Sequence, residues 1–155
     1  MTTLSEGDPA PDFELSRDGG GRVTLGEFRG KPVVVYFYPK DDTSGCTKQA
    51  IGFSESAEDF RAMGAEIVGI SPDGARAHDR FRDKHGLTII LGADEEKAAI
   101  DAYGVWAEKK MYGRAYMGVD RSTFLIGKDG TISRVWRGVK VPGHVAEVLA
   151  AVKTL

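Results

Sequence analysis

Six consecutive apolar or aromatic residues, Val33 to Tyr38, stand out from a mixed N-terminal region and stop at Pro39. A run of that kind, β-branched at its start, predicts a central strand covered on both faces. Beyond it the period changes, with Cys46, Ala50, Phe53, Ala57 and Phe60 following at alternating steps of four and three. Those steps mark one face of a helix. Between strand and helix stands PKDDTSG, whose Pro, Asp, Ser and Gly favour a turn and whose Asp42, Thr43 and Ser44 are each candidate N-caps. The only cysteine, Cys46, therefore falls in the opening turn of the helix and on its inward stripe.

The remaining pattern alternates strands with helices. Leu4 to Pro11 reads as an extended lead-in, and Phe13–Leu15 and Arg22–Leu25 flank Asp18-Gly19-Gly20-Gly21 as a hairpin. The glycines there lack the Lys-Ser/Thr ending of a phosphate loop. Thr24 to Phe28 predicts a short helical turn, Glu66 to Ile70 a second buried strand, and Ala75 to His85 a surface helix closing at Gly86 with Ala77 and Phe81 inward. Thr88 to Leu91 predicts a short strand, and Glu95 to Tyr103 a helix with an acidic opening. Val105 to Val119, with Trp106, Tyr112 and Tyr116 among cations and glycines, reads as an irregular loop that either plugs the domain edge or rims a site. Ser122–Ile126 and Thr131–Trp136 predict a hairpin, and His144 opens a last helix with Val145, Val148, Leu149 and Val152 toward the core. This is an α/β order with parallel connections, that of a thioredoxin-like fold with a central mixed sheet flanked by helices. One domain over residues 1–155 accounts for it.

Composition changes the picture mainly by exclusion. A net charge of −2 offers no surface for nucleic acid or membrane. A single cysteine allows no internal disulfide, which favours a reducing compartment. MTTLSEGDPAPDF has no apolar core for a signal peptide and no apolar run reaches membrane-spanning length, so a cytoplasmic protein is expected. His78, His85 and His144 lie on separate or solvent-facing positions, and one cysteine cannot build a zinc site; neither metal nor other cofactor is expected.

A thiol at a helix N-terminus faces unpaired backbone N–H groups and the positive end of the helix dipole, a setting that favours thiolate. The plainer reading is a small apolar filler. The surrounding residues decide between them. Pro39, Thr43 and Cys46 reproduce the P-x-x-x-T-x-x-C pattern of the peroxiredoxins, and FYPKDDTSGCT closely resembles the bacterioferritin comigratory protein, or peroxiredoxin Q, subfamily. GDPAPDFEL, GISPD, GVWAEKKMYGRAYMGVDRSTFLI and VKVPGHVAEVL resemble their family counterparts in order, so the likeness spans nearly the whole chain.

The resemblance implies the thioredoxin-like fold with the peroxiredoxin N-terminal extension. It also implies a peroxidase acting on hydrogen peroxide and organic hydroperoxides, with Cys46 as the nucleophile that becomes a sulfenic acid. Arg121, in DRSTFLI, is by the same resemblance the active-site arginine, donating to thiolate and peroxide together. Thr43 is expected to accept from a backbone N–H at the helix start and donate to the peroxide, and Pro39 to shield the sulfur. The backbone N–H groups of Gly45 and Cys46 are expected to complete the pocket.

Two positions depart from the family. Gln49 stands where many peroxiredoxins carry glutamate, and Ile51 where many close relatives carry a resolving cysteine. The expected enzyme is therefore a one-cysteine peroxidase reduced by an external thiol: thioredoxin, glutaredoxin with glutathione, or another small thiol. Without a disulfide to form between positions 46 and 51, the Cys46 helix is expected to stay folded through the cycle. A monomer is expected over a dimer, no long apolar stripe forcing association. Two rivals are a thioredoxin-like binding or chaperone module without turnover and a cysteine hydrolase, the latter opposed by the absence of histidine from the motif.

Overall fold

The computed structural model describes residues 4–155; of the N-terminal stretch Met1–Phe13 the first three residues lie outside it. The chain opens with an antiparallel pair, β1 (Glu14–Arg17) and β2 (Arg22–Thr24), with Leu15 opposite Val23. A single 3-10 turn, Leu25–Phe28, follows. Thr24 Oγ1 accepts from the Glu27 N–H and the Glu27 carboxylate accepts from the Thr24 N–H, a reciprocal box that closes its start.

β3 (Val33–Phe37) leads into α1 (Ser44–Glu55), α2 (Ala57–Ala62) and β4 (Glu66–Ser71). Then come α3 (Ala75–His85), β5 (Ile90–Ala93) and α4 (Ala98–Ala102). The antiparallel pairs β6 (Trp106–Met111) with β7 (Arg114–Val119) and β8 (Ser122–Ile126) with β9 (Ile132–Trp136) precede α5 (His144–Lys153). Among the described residues the main sheet runs β2-β1-β5-β4-β3-β8-β9, with β3, β4 and β5 parallel and β8 antiparallel to β3. β6 and β7 form a separate two-stranded ribbon.

The unbroken apolar run of β3 follows from its central place. Val33, Val35 and Phe37 enter one core with Phe124, Ile100 and Tyr103, while Val34, Tyr36 and Tyr38 enter the other with Cys46, Phe53, Phe60 and Val148. Successive side chains point to opposite faces, so a strand covered on both sides must be apolar throughout. Helices α1, α2, α3 and α5 supply the second core and thereby hold the cysteine against the sheet.

Several predicted boundaries shift for local reasons. The stripe from Cys46 to Phe60 is real, but the axis turns at Ser56, whose ψ is 2°, and divides it into α1 and α2. The strand predicted over Thr88–Leu91 begins two residues later, because the Thr88 N–H and hydroxyl donate to Ser54 and its carbonyl accepts from Arg61. The helix predicted over Glu95–Tyr103 shortens to Ala98–Ala102, since Lys97 takes the left-handed conformation at φ 62°. The expected irregular loop over Val105–Val119 is instead the β6–β7 ribbon. Its two-residue tip, Tyr112-Gly113, has both φ angles positive (52° and 77°), as a tight hairpin turn requires.

Tyr36 sits opposite Gly69 on β4 and stacks on Phe53 at 4.7 Å. A Cβ on Gly69 would lie 2.7 Å from Tyr36 Cζ and 2.8 Å from its hydroxyl oxygen. The glycine is therefore the space into which the ring leans. Gly69→Ala is expected to lower stability by about 1–3 kcal/mol through overpacking. Thermal unfolding at an unchanged midpoint would show that the ring is free to move.

Candidate active site

The turn between β3 and α1 is fastened before the cysteine is reached. Asp41 is buried, its Oδ1 accepting from the Tyr38 hydroxyl at 2.5 Å and its Oδ2 from His78 Nδ1 at 2.6 Å. Its own N–H donates to Asp73 Oδ2, which also accepts from the Ser71 hydroxyl. Asp42, at φ 58°, turns the chain outward and pairs with His85 and Lys84, whose hydrogen bonds hold its carboxyl below the usual carboxylate range. Residues 41 and 42 are thus tied to α3 and to the end of β4.

The other ring nitrogen of His78, Nε2, lies 2.9 Å from the Gly92 carbonyl oxygen. Both nitrogens face acceptors, so the ring donates at both. Burial alone would lower the His78 pKa and is the largest single influence, yet the hydrogen bond and charge of Asp41, with the Gly92 carbonyl and Asp73, together raise it. A raised value means stability fully present below the unfolded pKa of about 6.5 and lost as pH rises through the folded one. The stability margin over His78→Gln is therefore expected to shrink as pH climbs above about 6.5, a trend measurable from urea midpoints. A pH-independent margin would mean that the ring is neutral throughout.

Helix α1 starts at Ser44 and places Cys46 at its third residue, 1 % exposed. Thr47 makes the first intrahelical bond, to the Thr43 carbonyl, so the amides of Ser44, Gly45 and Cys46 precede the ladder. Thr43 stands at the N-cap but does not cap. Its hydroxyl instead donates to the Lys40 carbonyl at 2.8 Å and closes the turn, which corrects the expected backbone acceptor role. The other two cap candidates are otherwise placed: Asp42 is held by Lys84 and His85, and Ser44 is the first helical residue. Pro39 is half-buried two residues past the end of β3.

Arg121 arrives from the short link between β7 and β8, its carbonyl accepting from the Val139 N–H. Its Nη2 donates to Cys46 Sγ at 3.3 Å and its Nη1 to Gln49 Oε1 at 2.6 Å. One planar fork therefore joins two side chains of α1 lying one turn apart. Gly45 makes room for it, since a Cβ there would lie 3.2 Å from Nη2. Gln49 and Tyr36 are fully buried, and Gln49 Nε2 and the Tyr36 hydroxyl have no hydrogen-bonding partner among the described residues. Burial, and then the charge of Cys46, push the Tyr36 phenol well above its ordinary value.

The structure brings Cys46 and Arg121 together and joins to them Gln49, the position singled out in the sequence, through its bond to Arg121. His78 is buried rather than solvent-facing, paired with a residue 37 positions away that no local pattern reveals. Burial lowers the pKa of half-buried Lys109 on β6, the charge of Asp120 opposing it, with Arg121 lowering it further and Cys46 raising it. Among the described residues no group of three or more His, Cys, Asp or Glu is arranged to hold a metal ion.

A solitary buried thiol at a helix start, met by a guanidinium, on a mixed sheet flanked by helices, places the chain by class: it belongs to the AhpC/TSA family, whose model matches residues 6–135. Within that family its relatives are the Bcp, or peroxiredoxin Q, proteins. Peroxiredoxin Bcp of Bacillus subtilis is 46% identical over 153 residues, covering 99% of this chain and 98% of that protein. The solved bacterioferritin comigratory protein of Xanthomonas campestris, described for its alkyl peroxide reduction activity, superposes with a TM-score of 0.87 at 42% identity, covering 92% of this chain and 90% of that one. A mutant of peroxiredoxin Q from Xylella fastidiosa gives 0.94 at 35% identity, covering 99% and 98%. The fold is thus the thioredoxin-like peroxiredoxin fold. This chain carries one cysteine, and half-buried Ile51 packs beside the second core.

Proposed function

We propose that the chain is a thiol-dependent peroxidase in which Cys46 carries the oxidation. The observation that bears the reading is the Arg121 Nη2 to Cys46 Sγ contact at 3.3 Å. The cysteine thiolate attacks one oxygen of a hydroperoxide ROOH, forming an S–O bond as the O–O bond breaks. The departing oxygen takes a proton and leaves as ROH, or water when R is hydrogen, and the sulfur becomes a sulfenic acid. Arg121 stabilises the charge that develops on the departing oxygen, aided by the free amides of Gly45 and Cys46. Thr43, its hydrogen committed to the Lys40 carbonyl, keeps an oxygen lone pair for the O–H of the peroxide. Pro39 brings a ring and no N–H to the cover over the sulfur.

With Cys46 the only cysteine, the cycle closes through thiols from outside. A first thiol R′SH displaces water from the sulfenic acid to leave a mixed disulfide, and a second displaces Cys46 and departs as R′SSR′. Thioredoxin, glutaredoxin with glutathione, and small free thiols all satisfy this stoichiometry. That dependence suits a reducing compartment such as the cytoplasm, and the chain works as a monomer in this reading. No helix of the described residues is long and apolar enough to cross a membrane.

The test is stopped-flow mixing of the reduced protein with hydrogen peroxide in the absence of reductant, following Trp106 and Trp136 fluorescence and counting thiols. Rapid loss of one thiol per chain is expected. Mass spectrometry should then find a mixed disulfide at Cys46 when a thiol is supplied, and sulfinic acid when peroxide is in excess. A thiol lost no faster than an ordinary free cysteine would remove the peroxidase reading and leave a binding module on the same fold.

A further inference from the structure

Five large hydrophobic side chains are exposed among the described residues, and four of them, Met111, Tyr112, Tyr116 and Met117, stand on the β6–β7 ribbon. Its base is anchored: Val119 is buried in the first core, and Trp106 packs against that core with Lys97 over its ring. Its tip stands in solvent, Tyr112 being 97 % exposed. Residues paired across two antiparallel strands share a face, so Lys109, Met111, Arg114 and Tyr116 lie on one side and Lys110 and Met117 on the other. Cations and apolar groups therefore surround the tip on both faces. A pocket in a protein would read one face of such a pair. A fluid interface accepts both, the apolar groups sinking in while the long cationic side chains reach outward to the headgroups.

The charge is segregated as well. Lys109, Lys110 and Arg114 against Glu108 give the ribbon +2 in a chain of formal charge −2, which leaves −4 on the remainder. The whole-chain value gave no reason to expect a membrane surface because it averages two unlike parts. An anionic bilayer attracts the ribbon and repels the rest, and so orients the molecule tip first. Two copies meeting tip to tip would bring like charges together, which disfavours self-association there.

We propose that the β6–β7 tip docks on an anionic lipid bilayer, with Met111 and Tyr112 at the headgroup boundary and Lys110 and Arg114 on the lipid charges. The contact is weak and reversible, since a few cations and apolar groups make a single modest anchor. It goes beyond the peroxidase reading and does not depend on it.

The experiment sediments the reduced full chain with sucrose-loaded vesicles in the absence of peroxide. Vesicles of phosphatidylcholine alone are compared with vesicles that also contain phosphatidylglycerol, at low salt and in roughly 1 M salt, where charges are screened within about 3 Å. The unchanged protein is expected to bind the anionic vesicles about tenfold or more tighter than the neutral ones, and to be released by the salt. Tyr112→Asn removes the ring and keeps a residue that tolerates the positive φ of the turn. Lys110→Gln with Arg114→Gln removes two cations, each worth roughly fivefold in binding at such a surface. Both variants should lose most of the binding while keeping the melting temperature and the rate with hydrogen peroxide. Equal binding to neutral and anionic vesicles, or none to either, would overturn the proposal, and both are read on the unchanged protein. Either variant binding as tightly as the unchanged protein would overturn it too. A dimer in sedimentation equilibrium without lipid, dissolved by Tyr112→Asn, would assign the tip to a second copy. Retention on immobilised polyglutamate without vesicle binding would assign it to an acidic protein, and either result removes the bilayer as its partner.

Discussion

Arg121→Ala is expected to slow the reaction of Cys46 with hydrogen peroxide by about a hundredfold to a thousandfold, the usual loss when one preorganised donor to a developing charge is removed. Nη2 is the side-chain group that donates to Sγ, and its fork is already held by Gln49, so no reorganisation is needed when the peroxide arrives. Arg121→Lys separates charge from geometry. A lysine restores the charge but cannot reach Gln49 and the sulfur from one plane, so an intermediate rate is expected. Cys46→Ser should give no thiol-dependent reaction at all. Stopped-flow traces on the three variants decide the matter, and an Arg121→Ala trace matching the unchanged protein would remove the arginine from the chemistry.

The largest expected loss of stability is at Asp41. Its carboxylate is the shared acceptor of Tyr38 and His78, 1 % and 0 % exposed respectively, and its N–H fastens the turn to Asp73. Asp41→Ala leaves a buried imidazole and a buried phenol facing nothing. Breaking a buried pair from one side costs about 3–5 kcal/mol, which for a chain of this size lowers the melting temperature by on the order of ten degrees. Replacing all three, as in Asp41→Leu with His78→Leu and Tyr38→Phe, removes the stranded imidazole and phenol as well as the bonds and should recover much of the loss. A single variant within about 1 kcal/mol of the unchanged protein, a value typical of exposed pairs, would mean that the network is solvated. Because the turn fastened by Asp41 carries Pro39 and Thr43, the same variant should also slow peroxide reduction.

Much of this arrangement could be read from the chain, and the failures have physical causes. β3 was legible because burial on both faces leaves no polar position in the run, and α1 because one face of a helix repeats at fixed steps. Arg121 was found through the residues flanking it, since an arginine before a strand carries no signal of its own. The ribbon β6–β7 was missed because both its faces are largely exposed, so its strands lack apolar alternation, and its turn is Tyr-Gly rather than Asn-Gly. The Asp41–His78 pair joins residues on different elements, and pairings at that separation exist only once the chain is folded. Thr43 had the right position and the wrong partner, because a hydroxyl at a helix start has several neighbouring backbone groups to choose from.

The 1 % exposure of Cys46 sets two clocks. A molecule as small as hydrogen peroxide can slip past side chains to an enclosed sulfur. A reducing thiol must bring its own sulfur to about 2.05 Å, together with whatever body carries it, and so waits for the cover to lift. Oxidation is then expected to follow the oxidant, and recovery to depend on how readily the reducing thiol gains access to the sulfur. During a pulse of peroxide the population of oxidised chains would then record the dose, and burial of the sulfur would slow its erasure.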